Sequence, residues 1–165
     1  MNRKYLILIA ISGFIIAFDQ LTKMYVHTHF LLGESVQVIP GFFDFTYVRN
    51  EGAAFGIFRE AADSFRNIFF KLMPPLAVIF IIYILRGIPE NDKIKALALS
   101  LVCGGAIGNY IDRLRFNYVI DFLDFHYQKK WSFPAFNVAD SAIVIGISIL
   151  MILMYVQWKE EKKSK

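Results

Sequence analysis

The sequence predicts a membrane all-α fold: four transmembrane helices in a single domain over 1–165, with a small extracytoplasmic β element and a short interfacial helix. Three observations predict it. Of 165 residues, 56% are hydrophobic and the mean hydropathy is +0.47, well above an ordinary soluble domain. Seventeen Phe, eight Tyr and two Trp suit the aromatic belts of membrane proteins. Four apolar stretches, over 5–26, 68–85, 94–111 and 141–158, approach the ~20 residues that cross a hydrocarbon core of ~30 Å. The composition excludes disorder and a coiled coil. A single cysteine, Cys103, excludes an internal disulfide framework and Cys-rich metal sites. The net charge of +4 alone would allow nucleic acid, but the apolar stretches point to a membrane, so no nucleic-acid partner is expected.

The first stretch follows Arg3-Lys4, as a secretory signal would, but leads into Asp19-Gln20 and not into a small-residue cleavage site; it is read as a span. Asp19 and Lys23 interrupt its second half, acid four residues before base, the favourable order for an ion pair. Ser35–Ile39 and Phe43–Val48 alternate in polarity around Pro40-Gly41, which reads as strand, turn, strand. Asn50-Glu51-Gly52-Ala53-Ala54-Phe55-Gly56 allows close backbone approach. Arg59–Arg66 reads as a short amphipathic helix on the membrane surface. Pro74-Pro75 predicts a kink or a late start to the second helix. The third stretch is rich in small residues, which pack helices tightly in lipid.

Charge sets the orientation. Segments 1–4, 86–95 and 159–165 hold nine of the eighteen Lys and Arg, whereas the much longer 27–66 and 112–140 hold seven. The positive-inside rule therefore puts both termini in the cytoplasm and the two long loops outside.

Ionisable groups near a membrane are costly, so each is a candidate for function. Asn109 and Arg113, four apart, share a helix face at the end of the third span. Asp121 sits in the apolar run Val119–Phe122, and Asp140 precedes the fourth span. Capping alone would explain Asp140, and a structural ion pair would explain Asp19 with Lys23. Two carboxylates entering one region suggest more: at close range they cannot both ionise, the arrangement an aspartyl hydrolase uses to activate water. Ser12, Ser100 and Ser148 lack a nearby His, and Cys103 lacks an adjacent base. His27-x-His29 with His126 is weak as a metal set, so no metal and no cofactor are expected.

Five motifs then stand in a specific order: FDQLTK (Phe18–Lys23), VRNEGAAFG (Val48–Gly56), GGAIGNYIDR (Gly104–Arg113), VIDF (Val119–Phe122) and FNVADSAI (Phe136–Ile143). Over nearly its whole length the chain resembles the bacterial lipoprotein signal peptidase (signal peptidase II) family. The resemblance implies a four-span aspartyl endopeptidase of the bacterial inner membrane with an outward-facing β-cradle. Such enzymes cut the signal peptide from a prolipoprotein just before a diacylglyceryl-modified cysteine. It further implies catalysis by Asp121 and Asp140, substrate contacts from Asn50, Asn109, Arg113 and Asn137, and support from Asp19, Lys23 and Asp112. The implied partners are lipidated prolipoproteins and membrane lipid; the resemblance does not fix the oligomeric state, for which a monomer is expected. Two other readings remain: a Gly-x-Gly-Asp intramembrane protease, for which Asn109 stands where the Asp should be, and a non-enzymatic four-span transporter or binding protein.

Overall fold

The computed structural model describes residues 2–52, 63–128 and 130–163. Four long helices, α1 (Arg3–His29), α2 (Asp63–Gly87), α3 (Lys93–Phe116) and α4 (Val138–Lys163), are all long and apolar enough to cross a membrane. Strands β1 (Ser35–Ile39), β2 (Phe43–Asn50), β3 (Val119–Tyr127) and β4 (Trp131–Ser132) form one antiparallel sheet in chain order.

Each helix runs past the apolar stretch that predicted it; in α1 and α3 polar residues turn inward, as Lys4 does, or cap an end. Asp92 caps α3, its carboxylate accepting the Lys95 N–H at 3.1 Å. Asn117, at φ 63° in the left-handed region that Asn tolerates, closes that helix. Pro74 and Pro75 lie inside α2, which is already helical from Asp63; the late start expected at the prolines is not found. Transmembrane helices tolerate such prolines when neighbouring groups satisfy the freed carbonyls. Residues 59–62 of the expected Arg59–Arg66 helix lie outside the described residues, and 63–66 form the start of α2.

α3 is the central helix, packed against α1, α2 and α4; half of its apolar window is buried, against 17% for each of the others. Lipid tails offer no hydrophobic drive between helices, so close packing depends on small residues. A Cβ on Gly108 would stand 2.7 Å from Asp19 Oδ2, and one on Gly105 would collide with the Ala139 carbonyl. Glycine at these two positions lets α1, α3 and the start of α4 converge.

The sheet sits at the bundle end formed by the C-termini of α1 and α3 and the N-terminus of α4. Gly41, at φ +72°, makes the expected turn between β1 and β2. β3 was not expected. It pairs with β2 from Phe43↔Phe125 to Asn50↔Val119, and an isolated bridge, Leu123↔Phe136, ties it to the approach to α4. Val26, Tyr47, Ile120 and Phe122 form the small core beneath it.

Candidate active site

Four elements converge on a cleft of about 1160 Å³, bordered by Asn50, Asn109, Arg113, Asp121 and Asp140 among others. The end of β2 carries Asn50, β3 carries Asp121, the last turns of α3 carry Asn109 and Arg113, and the first turn of α4 carries Asp140.

The start of α4 explains how the two carboxylates meet. Asn137 stands at its N-cap position, and its Oδ1 accepts the Asp140 N–H at 2.9 Å. In return Asp140 Oδ2 accepts the Asn137 N–H at 3.3 Å, a reciprocal cap of the capping-box type. The Asn137 Nδ2 then donates to Asp121 Oδ1 at 2.7 Å. One fully buried residue thus holds both carboxylates, Asp121 through its side-chain amide and Asp140 through its backbone N–H. Asn137, expected among substrate-contacting residues, is instead at 0% exposure with both ends of its amide bonded inside the protein.

Each carboxylate has a second asparagine. Asn50 Nδ2 donates to Asp121 Oδ2 at 2.9 Å, and Asn109 Nδ2 donates to Asp140 Oδ1 at 2.7 Å. Asn50 is itself held by the Gly52 N–H, 3.0 Å from its Oδ1. Arg113 reaches the Asn109 and Gly52 carbonyls, both at 3.3 Å, and its guanidinium lies 4.7 Å over the Phe70 ring. Burial pushes the Asp121 carboxyl up to about 7, the charge of Asp140 adding to the effect against the hydrogen bonds from Asn50 and Asn137.

Behind the cleft lies a buried polar cluster. Lys23 Nζ is 2.8 Å from Asp19 and 3.2 Å from Asp112, and it donates to Asn109 Oδ1 at 2.8 Å. Both carboxylates also accept backbone N–H groups. Asp19 Oδ1 accepts the Ala139 N–H at 2.9 Å, and Asp112 Oδ2 accepts the Ile120 N–H at 3.0 Å. The cluster therefore touches the residue before each carboxylate of the cleft. Asp19 and Lys23 are an ion pair, as their spacing predicted, and both side chains are buried.

Two site features escaped the sequence reading. Gln20 donates to Asp112 Oδ1 at 2.8 Å and to the Gly108 carbonyl at 3.1 Å; its only signal was its place beside Asp19. The reciprocal cap was legible in principle, as Asn-x-x-Asp directly before an apolar run. The three histidines do not assemble: His27 Nδ1 lies 2.6 Å from the Tyr47 hydroxyl and His29 Nδ1 lies 2.9 Å from the Tyr25 carbonyl, whereas His126 sits beside Asp44.

The family described as Signal peptidase (SPase) II matches residues 11–156. The chain is 42% identical over 161 residues to the lipoprotein signal peptidase of Syntrophus aciditrophicus, covering 98% of this chain and 99% of that one. It is 46% identical over 158 residues to that of Syntrophotalea carbinolica, covering 95% and 94%. A solved bacterial membrane enzyme structure superposes with a TM-score of 0.81 at 34% identity, over 96% of this chain and 91% of that chain. With four spans, an apposed Asp pair and a match over most of its length, this multi-pass membrane chain belongs to the signal peptidase II family of proteases.

Proposed function

We propose that the chain is a membrane aspartyl endopeptidase that removes the signal peptide from diacylglyceryl-modified prolipoproteins, cutting just before the lipidated cysteine. The observation that carries this reading is the shared amide: Asn137 bonds Asp121 at 2.7 Å and the Asp140 N–H at 2.9 Å, which aims two carboxylates into one cleft. Asp121, buried and pushed up to about 7, is the member that holds a proton near neutral pH. In the proposed reaction Asp140 takes a proton from water as the water oxygen bonds the scissile carbonyl carbon. Asp121 gives its proton to the carbonyl oxygen. The tetrahedral adduct then breaks its C–N bond as Asp140 passes its proton to the leaving nitrogen and Asp121 takes a proton back from an adduct hydroxyl, which restores the pair.

Asn50, Asn109 and Arg113 border the same cleft and supply polar groups for the peptide backbone. Asn137 positions the pair from behind. Asp19, Lys23 and Asp112 fix the Ala139 and Ile120 backbones and the Asn109 side chain. The apolar side of the cleft, Ile143, Val144 and Ile145 on α4, suits an acyl chain that arrives already in the bilayer. The distribution of Lys and Arg supports cytoplasmic termini and a site near the outer face of the inner membrane. The chain is proposed to work as a monomer on a substrate delivered by lateral diffusion.

The test is cleavage by the purified enzyme of one precursor with and without its diacylglyceryl group. Acyl burial contributes ~0.8 kcal/mol per CH₂, and confinement to the bilayer orients the scissile bond. The lipidated form should be cut well and the unlipidated form poorly. Equal rates on both would refute the substrate assignment.

A further inference from the structure

We propose that Asp44, Asp124 and His126 form a binding site for a divalent transition-metal ion of the zinc type, which ties β2 to β3 along the wall of the cleft. One carboxylate or imidazole atom from each of the three lies within 4.8 Å of the other two. The register places them there. Asp44 and Asp124 are directly opposed across the antiparallel β2–β3 pair, and His126 follows Asp124 by two residues on the same face. Like charges directly opposed on a sheet are destabilising unless something positive lies between them.

The side chains themselves point to a ligand. Asp44 and His126 are each only 4% exposed. Among the described residues, Asp44 Oδ1 and both ring nitrogens of His126 have no hydrogen-bond partner, whereas buried polar atoms nearly always have one. His126 Nε2 lies 3.2 Å from Asp44 Oδ2, but not in line for a hydrogen bond. That separation is close to the ~3.4 Å between neighbouring ligands on a tetrahedral ion with bonds of ~2.1 Å. Half-exposed Asp124 completes the set by a small rotation. Its Oδ1 already accepts from Ser132 Oγ at 3.0 Å, and Asp44 Oδ2 accepts from Ser35 Oγ at 3.4 Å. Metal-ligating carboxylates are commonly oriented by outer hydrogen bonds of this kind. Two carboxylates and an imidazole fit an ion such as Zn²⁺; an all-oxygen set would have favoured Ca²⁺ or Mg²⁺.

The site is independent of the Asp121–Asp140 chemistry, and its role is structural. Asp124 and Ser132 also border the cleft, so the ion would stiffen the strands that carry Asn50 and Asp121. The experiment titrates Zn²⁺ into the chelator-stripped full chain in detergent, by calorimetry and by thermal unfolding. One saturable Zn²⁺ per chain is expected, with an unfolding temperature raised by several degrees at saturation. His126→Gln and Asp124→Asn should each weaken binding at least ~10-fold. Asp124→Asn is nearly isosteric and half-exposed, so it remains informative if His126→Gln does not fold. The Asp121→Asn/Asp140→Asn double variant and His29→Gln should bind as the parent does. Absence of saturable binding would overturn the proposal. So would binding that survives Asp124→Asn, or binding lost in the Asp121→Asn/Asp140→Asn double variant.

Discussion

Asn137 donates its side-chain N–H to Asp121 at 2.7 Å while capping the helix that bears Asp140, so one buried side chain serves both α4 and the carboxylate pair. The two duties separate by substitution. Asn137→Ala should lose both, with a cap cost of ~1 kcal/mol. Asn137→Ser restores a cap but cannot reach Asp121. Thermal unfolding should therefore place Ser above Ala, whereas cleavage should fall about tenfold or more in both. Wild-type activity in Asn137→Ser would show that the bond to Asp121 is dispensable.

If Asp121 and Asp140 share a proton and a water, they act as a unit, and their losses do not add. Asp121→Asn and Asp140→Asn should each abolish most cleavage, and the double variant should be scarcely slower than either single one. Asn keeps the shape of Asp without its proton chemistry. Above pH about 7, where both carboxylates are ionised, unfolding temperatures should hold or rise, because one of two apposed charges is gone. Either single variant cutting near the parental rate would remove that residue from the pair.

The Asp121 carboxyl, raised from 3.8 to about 7, makes activity and stability depend on pH in stated directions. Protonated Asp121 is the competent form, so the rate should fall as pH rises through about 7. Between about 4 and 7 the folded chain binds this proton more tightly than the unfolded chain, so Asp121 makes stability decline as pH rises across that window. Asp121→Asn should abolish that contribution. A cleavage rate flat from pH 6 to 9 would contradict the shared proton.

Lys23 stands between two buried carboxylates, Asp19 at 2.8 Å and Asp112 at 3.2 Å. Lys23→Met leaves them facing each other without a cation. Breaking one side of a buried ion pair typically costs ~3–5 kcal/mol, so folded yield in detergent should drop sharply. Asp112→Asn keeps an acceptor for the Ile120 N–H and should be milder in both stability and cleavage. A Lys23→Met protein as stable as the parent would mean that the cluster is not structural.

The orientation is open to a direct check. A reporter fused after Lys165 should read cytoplasmic, and one inserted near Gly33 should read external. The reverse pattern would invert the charge reading.

How much of this was legible beforehand depended on the range of the interactions. The four spans, the Ser35–Ile39 and Phe43–Val48 strands and the Asp19–Lys23 pair follow from neighbours along the chain: apolar length, alternation around Pro40-Gly41, and acid four residues before base. Asp121 and Asp140 could be singled out because a carboxylate in an apolar setting is costly wherever it lies. β3 escaped because its run Val119–Tyr127 is buried on both faces through Phe122, so polar and apolar residues do not mark an inner and an outer face, and it gains strand character only by pairing with β2, seventy residues or so earlier in the chain. The link from Asn137 to Asp121, the path from Lys23 through Asn109 to Asp140 and the facing of Asp44 with Asp124 had no local signal at all. A polar side chain declares that it needs a partner, but only the tertiary approach of α1, α3, α4 and β3 decides which partner lies within hydrogen-bonding reach, because a hydrogen bond forms only over a narrow range of distance and angle.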